Sequence, residues 1–152
     1  MKKVITILAT ILVFFSLQPN TLAAEDKPII PYFGVGANVT EIGDGSFVVK
    51  TEGAKAEEGF VFTPKESFTS TKISFQITLK GTGTVLLKIS ETDPRGRFIK
   101  EKTIEVVLTE DWTTHVLPFE LASTISQIDV SVVTKDATRT EFSYKDLKII
   151  QE

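Results

Sequence analysis

From Lys72 to Lys80 apolar and polar residues alternate without a break. Ile73, Phe75, Ile77 and Leu79 fall on one face, and Ser74, Gln76, Thr78 and Lys80 on the other. A period of two predicts a β-strand with one dry side and one wet side. The segment 85–91 repeats it, with Val85, Leu87 and Ile89 inward and Lys88 and Ser90 outward. Further β-rich stretches lie over 46–51, 59–63, 98–102, 103–108, 112–119, 125–134 and 140–150, and Pro64, which cannot donate to a ladder, stops the second stretch. Lys80-Gly-Thr-Gly-Thr84 reads as a hairpin connection and Asp93-Pro-Arg-Gly96 as a turn. Residues 122–127 could hold one helical turn at most. Turn signals recurring at roughly ten-residue spacing predict an all-β antiparallel sandwich of eight to ten strands.

The N-terminus follows a different pattern. Lys2 and Lys3, the apolar run Val4–Leu17 and the small residues around Thr21-Leu22-Ala23 read as a secretory signal over 1–24. The run is about fourteen residues, short of the roughly twenty that span a bilayer, so no integral membrane segment is expected after cleavage. Residues 25–44 then form an extended lead-in and first strand, with Pro28 and Pro31 favouring extended backbone, and 45–152 the rest of one domain. Cleavage removes two lysines and no acid, taking the formal charge from −3 to −5. A mildly acidic surface with no basic cluster argues against nucleic acid as partner. There is no cysteine, hence no disulfide; an exported domain without one points to a Gram-positive bacterium and a secreted or wall-associated monomer.

Little in the chain suits catalysis. The single histidine, His115, lies within a predicted strand, no nucleophile-elbow motif accompanies it, and no carboxylate pair stands in a recognisable context. The expectation is a protein that is not an enzyme. Among the aromatics, Tyr32 is the best candidate for an exposed platform, the other reading being an N-terminal latch. Arg95 and Arg97 flank a turn, as a clamp for an acidic sugar or as ordinary soluble hairpin residues.

From about Gly45 onward the chain resembles the jelly-roll carbohydrate-binding modules of the family 4, 9 and 22 type, which are galactose-binding-like sandwiches. The residues that carry the likeness are Ser46-Phe-Val-Val-Lys-Thr-Glu-Gly53, Gly59-Phe-Val-Phe62 and Lys80-Gly-Thr-Gly83. Glu91-Thr-Asp-Pro-Arg-Gly96, Leu108-Thr-Glu-Asp-Trp-Thr-Thr114 and Phe142-Ser-Tyr-Lys-Asp-Leu-Lys-Ile149 complete it. The resemblance implies a jelly-roll sandwich in which Trp112 is a structural anchor. It implies a cleft on a concave sheet face, for which outward residues of central strands, Gln76, Lys88 and Ser131, are the candidates; solvated strand positions are their other reading. It also implies a structural Ca²⁺ held by Glu41 or Asp44 near the first strand and by Asp146, although the family's paired acids are here Lys145-Asp146. The function implied is a stand-alone, non-catalytic module that recognises a polysaccharide or oligosaccharide of a cell wall or extracellular matrix. Few exposed aromatics favour the alternative, a structural or protein-interaction sandwich without sugar binding.

Overall fold

A computed structural model describes residues 32–152, with side chains from Phe33 onward; the signal and residues 25–31 of the lead-in fall outside the described residues. Ten strands, β1 (Tyr32–Val35), β2 (Ala37–Gly43), β3 (Ser46–Thr51), β4 (Gly59–Phe62), β5 (Lys72–Gly81), β6 (Thr84–Thr92), β7 (Phe98–Val107), β8 (Thr113–Glu120), β9 (Gln127–Thr134) and β10 (Glu141–Gln151), make up the described chain. They form two antiparallel five-stranded sheets, ordered β1-β4-β9-β6-β7 and β2-β3-β10-β5-β8, here the first and second sheets. The stretches 98–102 and 103–108 are one continuous strand, β7, and residues 122–127 contain no helix.

The dry faces meet between the sheets. Ile73, Phe75, Ile77 and Leu79 of β5 and Val85, Leu87 and Ile89 of β6 are all buried, as the alternation requires. One aromatic stack joins the layers: Phe60 of β4 lies 4.2 Å from Tyr144 of β10, Tyr144 lies 4.9 Å from Phe47 of β3, and Phe142 packs tilted on Phe60 at 6.4 Å.

Two buried carboxylates, Glu58 and Glu91, fix connections instead of strands, Glu91 by accepting from Ala122 N in the β8–β9 connection. Glu58 accepts hydrogen bonds from the backbone N–H groups of Gly53, Ala54 (2.9 Å) and Lys55 (3.0 Å), and so ties down the β3–β4 loop. Burial alone would raise its carboxyl, but these bonds outweigh it and hold it below the usual 4.5. A depressed carboxyl contributes stability above its unfolded value and loses it as pH falls through the folded value. Glu101 is likewise lowered, by hydrogen bonds from Ser90 and Lys88 that exceed the opposing effect of burial. His115, half-buried on β8, is lowered by burial, so its protonation below 6.5 also favours the unfolded chain. The expected outcome is a melting temperature that falls steeply from about pH 5 to pH 3. Glu58→Gln should melt lower at pH 7 and show a shallower acid slope in the same thermal-melt series; an unchanged slope would show that Glu58 is not among the groups responsible.

Candidate functional site

The outer face of the first sheet gathers polar groups in ranks across the strands. Residues directly opposite in antiparallel pairs point the same way, so the register defines each rank. Phe33 faces Val61, Val61 faces Ser131, Ser131 faces Lys88 and Lys88 faces Thr103. That rank crosses all five strands, four spacings or about 19 Å at roughly 4.8 Å each. Beside it, Ser90 stands between Asp129 and Glu101. On the other flank Leu86 stands between Val133 and Glu105.

Lys88 is the centre of this face. Its Nζ donates to Glu57 Oε1 at 2.9 Å and lies 3.2 Å from Glu101 Oε1. Ser90 Oγ donates to Glu101 Oε2 at 2.6 Å, and Thr103 Oγ1 donates to Glu101 Oε1 at 3.3 Å. Lys135 Nζ, beyond the end of β9, reaches Glu105 at 2.8 Å. Burial would lower the Lys88 ammonium, yet hydrogen bonds to Glu57 and Glu101 more than compensate and raise it above 10.5, so it is charged at every physiological pH.

Glu57 gives the face relief. Its N–H donates to Thr134 O just beyond the β4–β9 ladder, and its carboxylate lies over the outer face, where it meets Lys88. The carboxylate then crosses β9 to Lys88 on β6, and Val133 beneath is buried although it points outward. Glu57 adopts a left-handed backbone (φ 63°), uncommon for a residue other than glycine. The neighbouring Glu58 clamp holds that conformation in place. At the far end of the rank Phe33 is 56% exposed, an aromatic surface for this face, and Phe98 of β7, opposite Thr92, is a second exposed ring of the sheet.

The sequence candidates separate. Lys88 and Ser131 are direct cross-strand neighbours on this face. Gln76 is on β5 of the second sheet, beside Val116 and Lys148, and so on the opposite side of the sandwich from them. Tyr32 opens β1 opposite Phe62, and its side chain is outside the described residues. Arg97 Nε donates to Asp93 Oδ2 at 2.7 Å, and the N–H groups of Arg95 and Arg97 donate to Asp93 Oδ1. Both arginines belong to the β6–β7 hairpin tip, about 13 Å along β6 from Lys88 by strand rise, and do not join its network. Trp112, expected as a core anchor, is instead 38% exposed at the entry to β8, with Lys145 Nζ 4.7 Å from its ring centroid. It lies before the strand begins, so inward alternation does not bind it.

The residues expected at a cation site do not form one through their side chains. Asp146, in left-handed backbone (φ 53°), lies at the β10 bulge, and Glu41 is exposed on β2. Asp44 accepts from Ser46 Oγ at 2.6 Å in the β2–β3 turn. Among the described residues no three His, Asp or Glu side chains cluster as metal ligands. Any Ca²⁺ there would take most of its oxygens from backbone carbonyls.

No protein-family model matches the chain, and no curated protein matches its sequence. Solved structures do match. The chain is similar to the family 11 carbohydrate-binding module of the cellulosomal cellulase Lic26A-Cel5E of Clostridium thermocellum, with TM-score 0.65, 13% identity and coverage of 84% of this chain and 91% of that one. It is similar to the CBM22-1–GH10 modules of xylanase 10B of the same organism, complexed with xylohexaose: TM-score 0.62, 18% identity, 80% of this chain and 26% of that one. Tailspike protein 4 of bacteriophage CBA120 matches at TM-score 0.61 and 14% identity over 78% of this chain and 18% of that one. The fold is therefore the jelly-roll sandwich of carbohydrate-binding modules, a fold that also occurs as a minor part of larger enzymes.

Proposed function

We propose that this chain is an exported, non-catalytic, monomeric module that binds a polysaccharide across the outer face of its first sheet. The observation that carries the reading is the rank Phe33–Val61–Ser131–Lys88–Thr103, flanked by Ser90, Glu101 and the overhanging Glu57. Sugars are recognised by hydroxyl, amide and charged groups that satisfy their hydroxyls and by apolar rings that cover their C–H faces. This face offers hydroxyls and charges in the middle and a phenyl ring at one edge. Fold likeness to sugar-binding modules supports the reading at the level of architecture alone. A Gram-positive cell wall or an extracellular matrix is the proposed setting, and a Ca²⁺ near Asp146 is proposed as structural only.

The test is retention of the mature protein on insoluble xylan, cellulose, β-glucan and purified bacterial wall, each with calcium and with chelator. Retention on one polymer is the expected result, and loss in chelator would implicate the Asp146 region. Phe33→Ala should weaken retention about fivefold to tenfold, the value of one aromatic contact, without lowering the melting temperature, since the ring is exposed. Unchanged retention of that variant would remove Phe33 from the site. Failure to bind any polymer would favour a structural or protein-interaction sandwich, for which the exposed Trp112, Val116 and Ile150 on the second sheet offer surface.

A further inference from the structure

A second concavity lies at one end of the sandwich, between the β4–β5 connection (63–71) and the β8–β9 connection (121–126). It encloses about 570 Å³, within the range of small-ligand sites. Its lining is divided by chemistry. Phe68 and Ile128 are buried apolar walls, and Ile125 is a large apolar side chain 70% exposed at the rim. Thr63, Ser126 and Gln127 supply hydroxyl and amide groups.

Ser126 is the informative residue. It is 6% exposed, it lines the concavity, and its hydroxyl has no hydrogen-bond partner among the described residues. The hydroxyl oxygen itself is not closed off from solvent, so it is free to bond a group that enters the cavity.

Both connections are pinned from behind. Gln151 Oε1 accepts from Thr69 N (2.6 Å), Thr69 Oγ1 (3.1 Å) and Ser70 N (3.4 Å), while its amide nitrogen donates to Ser67 O at 3.3 Å. The buried Glu91 accepts from Ala122 N at 2.7 Å. A cavity held by such clamps needs little ordering on binding, which favours affinity. It also adjoins the outer face of the first sheet. Thr63, in its wall, donates to Asp129, which stands in the rank beside Lys88 and Ser131, and Gln127 is the first residue of β9.

We infer that this end cavity is a second saccharide subsite, taking one pyranose unit of the chain that lies on the first sheet. The apolar walls would face the ring's C–H surface, and Ser126, Thr63 and Gln127 its hydroxyls. This inference rests on the glycan-binding reading and is separable from it. Calorimetric titrations of the mature protein with xylohexaose, cellohexaose and a β-1,3-1,4-mixed-linked tetrasaccharide provide the test. The variants are Ser126→Ala, which removes only the hydroxyl, Ile125→Asp at an exposed position, and Lys88→Met on the sheet face. Ser126→Ala and Ile125→Asp should each weaken the best of these ligands about fivefold to tenfold, with melting temperatures unchanged. If wild type binds, Lys88→Met fails and both end-cavity variants bind as wild type, the subsite is refuted while the sheet-face reading stands. Weakening by the end-cavity variants with Lys88→Met unaffected would refute the sheet face and overturn the cavity's role as a subsite of a chain lying on it. No binding of any oligosaccharide by wild type would overturn both.

Discussion

Phe60→Ala is expected to lower the melting temperature by roughly 10–20 °C, the largest stability effect of any single change considered. Phe60 is fully buried on β4 and stacks on Tyr144 of the opposite sheet at 4.2 Å, with Phe142 tilted against it at 6.4 Å. Truncation removes the transfer free energy of the ring and leaves a cavity that two rigid sheets cannot close. Such changes cost about 3–5 kcal/mol, against a total of about 5–15 kcal/mol for a domain. At about 3–5 °C per kcal/mol for a domain of this size, the fall in melting temperature follows. Phe60→Leu, which keeps apolar volume, should recover much of the loss. A shift of only a few degrees for Phe60→Ala would mean that the stack does not hold the layers together.

Lys88→Met is expected to abolish measurable glycan retention while leaving the fold intact. Its ammonium is positioned by Glu57 and Glu101 and stands beside the hydroxyls of Ser131, Ser90 and Thr103. Losing a hydrogen bond to a charged group costs about 1.5–3 kcal/mol, or roughly tenfold to a hundredfold in affinity. Loss of the overhang fixed by Glu57 adds to that. Stability should change little, because Glu57 and Glu101 reach water when Lys88 is gone, and partly exposed ion pairs contribute about 0–1 kcal/mol. Methionine keeps an apolar stem over the sheet, which separates the role of the charge from that of packing. Retention equal to wild type, in a variant that melts normally, would place binding elsewhere.

Much of the architecture was legible in the sequence because period two is a local property. The inward residues of β5 and β6 follow from alternation alone, and every one is buried. Sheet membership is not local. Gln76 and Lys88 are equally outward on successive strands whose connection reads as a hairpin, yet β5 and β6 do not pair and belong to different sheets. No pattern along the chain says that the connection at 82–83 crosses the sandwich. Register hides the rest: Glu57 meets Lys88 across 31 positions of sequence. Glu57 and Glu101 therefore gave no signal, and their role emerges only when strands β4, β9, β6 and β7 are laid side by side. Phe33 could have been found. It stands beside Tyr32, and alternation puts one of two adjacent strand residues on the outer face. Trp112 shows the converse, since a position just before a strand is free of the inward constraint that the resemblance placed on it.

A glycan lying across the outer face of the first sheet must disturb the backbone amides of that face. Backbone amide chemical-shift mapping during titration of the isotope-labelled mature protein with xylohexaose, cellohexaose and the mixed-linked tetrasaccharide tests it most directly. Saturable shifts are expected at Phe33, Val61, Ser131, Lys88 and Thr103 with at least one of them. Saturable shifts confined to the second sheet, around Gln76, Trp112 and Val116, would contradict it.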